Sequence, residues 1–183
     1  MHKIDYKIVL IIIGIIISFL LFCVISVQVV KNVTIDLEEQ VAVAKSNIDV
    51  QQKRRADLIP NLVDCVKAYD KHEYETLMAA ISARNMSNDA QVSEVQTLVA
   101  AVAEAYPELK SSKNYRELMN ELSLTENAIA NYRNNYNYQV RAYKNYIRRF
   151  PNSFMLALSN YDVLNYDYLV FNAPESAPTN LFD

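Results

Sequence analysis

The chain has one glycine in 183 residues, Gly14. Hairpin turns and bulges draw on glycine for positive φ, so a domain almost without it is not built from strands. The same scarcity excludes glycine-rich loops that cradle phosphates. Cysteine is sparse: Cys23 lies in an apolar run and Cys65 has no soluble partner, which excludes a disulfide framework. Cys65 reads as a lone buried thiol. The two histidines are His2 and His72. A di-metal carboxylate site needs Glu-x-x-His on two helices, and Tyr69 stands three places before His72. His72-Glu73 opens like a zinc-protease helix, but Thr76 occupies the place of the second ligand. His72 is expected to be a partly buried or capping side chain. No metal and no cofactor is expected.

Charge is mildly acidic, with 18 basic and 21 acidic residues. Setting aside Lys3, Lys7 and Asp5 leaves 16 against 20, a net of −4. Such a domain is a poor phosphate-binding surface, which argues against nucleic acid as partner. Anionic headgroups would not attract it as a whole either. The triplet Lys53-Arg54-Arg55 is too short for a nucleic-acid patch and reads as a solvated face or as ion pairs with a facing helix.

Against these absences stands one long apolar segment. Ile8 to Val30 are 23 consecutive uncharged residues. As a helix they would span about 35 Å, enough for a hydrocarbon core of about 30 Å. A secretory signal has a shorter apolar region and a small-residue cleavage site, and Val29-Val30-Lys31-Asn32 offers none. The segment reads as an uncleaved, single-pass signal anchor in the cell membrane, in contact with lipid through residues 8–30. Its flanks nearly tie in Lys and Arg, and the count leans slightly to a cytoplasmic amino terminus. The side of the soluble domain stays open.

The remainder reads as helices. Leu37, Val41, Ala44 and Ile48 share one helix face. Pro60 disfavours helix at Ile59, so a break or kink is expected near residues 56 to 60, with Asp57 capping the next helix. Leu62, Val66, Tyr69, Leu77, Met78 and Ile81 line that second helix, which fades at Asn85-Met86-Ser87-Asn88. Val92, Val95, Val99 and Val102 face inward on a third helix that ends at Tyr106-Pro107. A fourth helix, opened by a capping box at Asn114 and Glu117, carries a near-heptad seam: Leu118, Leu122, Thr125, Ile129, Tyr132, Tyr136, Val140, Tyr143, Ile147 and Phe150. Its tyrosines read as core residues with hydroxyls at the rim rather than as a ligand-stacking strip. Pro151 ends it, and a short helix from Phe154 to Leu158 folds back. The fold class is therefore all-α: an amino-terminal transmembrane helix, then an antiparallel bundle of about four long helices plus a short carboxy-terminal one. The divisions are a flank at 1–7, the anchor at 8–30, the bundle at 31–160 and an irregular tail at 161–183.

Several polar residues lie on or beside the apolar seams: Asp49, Arg55, Asp57, Asn61, Glu121, Glu126, Asn127 and Arg133. Buried charge must be paired or hydrogen-bonded. Segments 47–61 and 121–133 are therefore expected to exchange polar contacts that set helix register. No catalytic constellation stands out among the Ser, Thr and carboxylate residues.

These stretches resemble the LemA family. The likeness runs through Asn47 to Val63, then Val66-Lys67-Ala68-Tyr69, His72-Glu73, Ala83-Arg84 and Tyr106-Pro107-Glu108-Leu109-Lys110. It continues in Glu121-Leu122, Thr125 to Ala130, Arg133, Tyr136-Asn137, Tyr143-Lys144-Asn145 and Phe150-Pro151. Lys45, Gln52, Ala68 and Ala128 depart from the family's usual residues. The resemblance implies a membrane span and a bundle of long helices, and no established activity, cofactor or catalytic residue. The leading expectation is a non-enzymatic, membrane-anchored scaffold that binds another protein or itself. The alternative is a hydrolase using carboxylates in a groove of the bundle.

Overall fold

The apolar run holds one glycine, Gly14, and none follows it, so nothing but Pro60 opposes one helix that propagates far beyond the run. In the computed structural model, α1 is a single helix of 59 residues, Tyr6–Asp64. The structure describes residues 6–83 and 89–170. Among these, five more helices follow: α2 (Lys71–Ser82), α3 (Asp89–Ala105), α4 (Pro107–Ser111), α5 (Lys113–Arg148) and α6 (Asn152–Leu158). No described residue is in a strand. The expected fading at residues 85–88 lies outside the described residues, as do the first five residues and the tail from 171.

The expected break near residues 56 to 60 is absent, and Asp57 caps no new helix. Pro60 sits inside α1. An interior proline removes one backbone donor and crowds the carbonyl four residues back. The Asn61 side chain donates from Nδ2 to the Asp57 carbonyl at 3.1 Å, one residue along from the Ala56 carbonyl that the proline leaves without its ladder donor. Ile59, Leu62, Val63 and Val66 around the proline are all buried. At about 1.5–3 kcal/mol for each fully buried aliphatic side chain, that packing outweighs the local backbone penalty. The chain turns only at residues 65–69.

Asp70 then starts α2. Its Oδ1 accepts from the backbone N–H of His72 at 2.8 Å and of Glu73 at 3.1 Å. This is the N-cap that satisfies orphan donors of the first turn. The His72 side chain is exposed rather than partly buried. α3 ends where Pro107 begins α4. Ser112 closes α4 and opens α5, its Oγ accepting from the Tyr115 N–H at 3.3 Å. The cap is thus Ser112 and not Asn114; Glu117 instead lies 3.7 Å from Lys113 one turn earlier.

The chain divides into two compact units. One comprises residues 43–135. Its core gathers Ile59, Leu62, Val63 and Val66 with Leu77, Val92, Val95, Val99, Ala103, Leu109, Tyr115 and Leu122. There α2 packs on α3 and α3 on α4. The valines of α3 recur at helical spacing, which puts one face inward. Ala103 takes the buried place at its end, while Val102 is half-buried.

The other unit comprises residues 1–42 and 136–183. Here Tyr136, Val140 and Tyr143 of α5 are buried, and so are Val30, Thr34 and Val41 of α1. Buried Thr34 turns its hydroxyl back to the Val30 carbonyl at 2.8 Å, so no donor is stranded. The seam stops short of Phe150, which is exposed because α5 ends at Arg148 and the chain turns away. Asn152 Nδ2 donates to the Tyr146 carbonyl at 3.0 Å and closes that corner.

Pro60→Ala should restore the missing donor. An interior proline costs about 3 kcal/mol, and its loss frees about 0.4–1 kcal/mol of unfolded-chain entropy. Allowing for lost ring packing, the variant should be about 1–2 kcal/mol more stable in urea titration followed by circular dichroism. A lower midpoint would contradict this account of α1.

Candidate functional site

The basic triplet on α1 has two cationic side chains that reach α5. The Arg54 Nη2 pairs with Glu121 Oε1. The Arg55 Nη1 lies 3.3 Å from both oxygens of Glu126. Arg55 is 1 % exposed, while the Glu126 side chain keeps 39 %. One guanidinium nitrogen thus straddles the carboxylate, a looser arrangement than the two-nitrogen fork. The charge is buried on the arginine side and solvated on the other.

The remaining polar residues are placed differently. Asp57 pairs with Lys53 at 3.9 Å on the surface, where an i,i+4 ion pair contributes little. Asn61 is spent on the Asp57 carbonyl of its own helix. Asp49 and Asn127 are exposed, and Arg133 is half-buried. The structure therefore joins Arg55 to Glu126, and gives Glu121 a partner, Arg54, that was read only as part of a charged triplet. Thr125, between the two glutamates, is buried and donates to the Glu121 carbonyl at 2.8 Å.

An open cleft of about 860 Å³ lies alongside, lined by Asn61, Asp64, Cys65, Tyr69, Ser112, Glu117 and Glu121 among others. Its glutamates are already engaged, Glu117 with Lys113 and Glu121 with Arg54. Burial, helped by the Asp64 charge, raises the Cys65 thiol above its ordinary value, which lowers its thiolate fraction at neutral pH. Among the described residues, no three His, Cys, Asp or Glu side chains gather as a metal would need.

Asp70 has a displaced proton affinity. The Tyr106 hydroxyl donates to its Oδ2 at 2.6 Å, and this bond, with the capped Glu73 and His72 N–H groups, holds the carboxyl below its usual range. A lowered value suits a cap and is the wrong direction for a general acid. The signal was legible: Asp70-x-x-Glu73 is a capping-box spacing.

A second polar centre lies in the unit of residues 1–42 and 136–183, and sequence reading missed it. Glu38 accepts from the Tyr143 hydroxyl at 2.9 Å and from the Tyr161 hydroxyl at 2.9 Å. The Tyr143 oxygen also lies 3.0 Å from the Leu164 carbonyl, and its ring meets Tyr166 edge-on at 5.3 Å. Burial, then the Glu38 contact, pushes Tyr161 up to about 12 and raises Tyr143 as well. Both phenols therefore keep the protons they donate. Six residues earlier on α5, Asn137 binds Leu169 twice, Nδ2 to the carbonyl at 2.9 Å and Oδ1 from the N–H at 2.8 Å. Residues 161–170 are irregular but tied down at both ends by side chains. No helical periodicity announces such a segment.

The fold and its polar contacts thus define an all-α protein in which, among the described residues, one helix is long and apolar enough to cross a membrane and runs on into packed chain. The family model of the LemA family matches residues 44–180. The chain belongs to the LemA family. No curated protein matched it.

Two outcomes are expected. Glu126→Met should cost about 1–3 kcal/mol, because it leaves the buried Arg55 charge less compensated. Adding Arg55→Met should recover part of that loss in a double-mutant cycle, since an apolar pair can replace a buried ion pair; strictly additive losses would deny the coupling. For Asp70, the folded value lies below the unfolded one, so its stabilisation is present above about pH 4 and lost as pH falls through the folded value. Thermal midpoints from pH 7 to pH 2 should fall less steeply for Asp70→Asn than for the native chain; parallel slopes would count against the cap.

Proposed function

We propose that this LemA-family protein is a membrane-anchored helical scaffold whose bundle binds another protein or a second copy of itself. The apolar run of α1 carries the reading. None of its most apolar window is buried within the protein. An apolar surface of that size needs a cover, and its length suits lipid. The interaction role rests on α1 beyond the anchor. Val43 and Val50 are exposed and seven residues apart, on one face, with the small Ser46 between them. This face is distinct from the buried one formed by Ala44, Ile48 and Arg55. A partner helix with matching apolar residues would cover it.

The test is a photoreactive phenylalanine analogue at position 50 of the full chain in intact membranes. A crosslinked species heavier than the monomer is expected, and Val43→Asp should abolish it without lowering the thermal midpoint. Recovery of monomer alone would overturn the scaffold reading.

A further inference from the structure

The short helix α6 buries Leu156 yet leaves Phe154 61 % and Leu158 69 % exposed, and Phe150 just before it is 83 % exposed. A single exposed apolar residue is ordinary. Three within nine residues, next to exposed Arg148 and Arg149, make a patch that needs a cover.

The position of the patch names the cover. Tyr143 of α5 is level with Glu38 of α1, which stands about 12 Å beyond Val30. The irregular segment gives the direction of α5. Leu169 lies at Asn137, Leu164 at Tyr143, and Tyr161 reaches Lys31, whose Nζ is 5.9 Å from its ring centre. Going from Asn137 to Tyr143 therefore leads toward Lys31. α5 continues five residues beyond Tyr143, about 7 Å, to the level of Val33, and Phe150 follows two residues past its end. Val30 and Thr34 are buried, so packed chain extends down to the last turn of the apolar run with no spacer. Headgroups occupy about 5–7 Å outside each face of the hydrocarbon core, so with α1 as the span a corner at this height would fall in that layer.

Charge agrees with the position. The chain is acidic overall, yet from Asn127 to Tyr161 it has five basic residues and no acidic one. Arg148 and Arg149 flank the patch, and Tyr146 and Tyr161 lie nearby in sequence. Apolar side chains beside arginines and tyrosines are the composition of a bilayer interface.

We propose that Phe150 and α6 form an interfacial foot. Phe150, Phe154 and Leu158 enter the headgroup boundary of the bilayer that α1 crosses, and Arg148 and Arg149 meet its phosphates. The foot rests on the reading of α1 as a membrane span, and it adds a second, lateral contact beside that span.

The chain has no tryptophan, so single-tryptophan variants report one site each. The full chain is reconstituted in vesicles of phosphatidylcholine and phosphatidylglycerol containing lipids brominated at shallow or deep positions. Phe19→Trp reads the span, Phe154→Trp and Phe150→Trp read the foot, and Tyr138→Trp, exposed on α5 further from Val30, is the control. Loss of emission with deep bromine is expected for Phe19→Trp. Loss with shallow bromine and a blue shift are expected at 154 and 150, and neither is expected at 138. Water-like emission at 154 and 150 with Phe19→Trp quenched would overturn the foot and leave the span intact. Blue-shifted but unquenched emission there would mean that protein covers the patch, and would overturn it too. An unquenched Phe19→Trp would remove the span and the foot together.

Discussion

One continuous helix, α1 from Tyr6 to Asp64, with a single ladder bond lost at Pro60, is the constraint on which the other features depend. A helix conducts orientation because its turns cannot rotate past one another without breaking bonds. At Val30 and Lys31 no glycine, proline or loop separates the apolar run from the packed residues that follow. Where the run goes, the buried face of Thr34 and Val41 must follow.

Much of this was legible in the sequence. The seam through Leu122, Thr125, Ile129, Tyr136, Val140 and Tyr143 is buried as its spacing indicates, because 3.6-residue periodicity reports burial directly. The ends of elements were less legible. Pro60 reads as a breaker in isolation, but four buried aliphatic neighbours hold the helix through it, and tertiary packing is invisible to local rules. Ser112 and Asn114 are both competent caps, and Ser112 is the one with extended geometry. The polar residues near the seams were half-legible: Arg55 is buried as a seam position would be, whereas Asp49 and Asn127 fall just outside the buried arc.

Net charge misled in another way. A domain that sums to an acidic value contains a long stretch, Asn127 to Tyr161, with only basic charge. Whole-chain sums describe solubility and long-range attraction, and they average away such a local field. The tail behaves similarly. It was read as irregular for lack of periodicity, and residues 161–170 have neither helix nor strand, yet the side chains of Glu38, Tyr143 and Asn137 hold them in place.

That mode of attachment has its own consequence. Asn137 offers Leu169 one acceptor and one donor, as the backbone of an adjoining strand would. A single amide thus substitutes for an edge partner. Such a latch can unfasten residue by residue without unwinding any turn of α5, so the segment forms a cooperative unit apart from the helices beneath it.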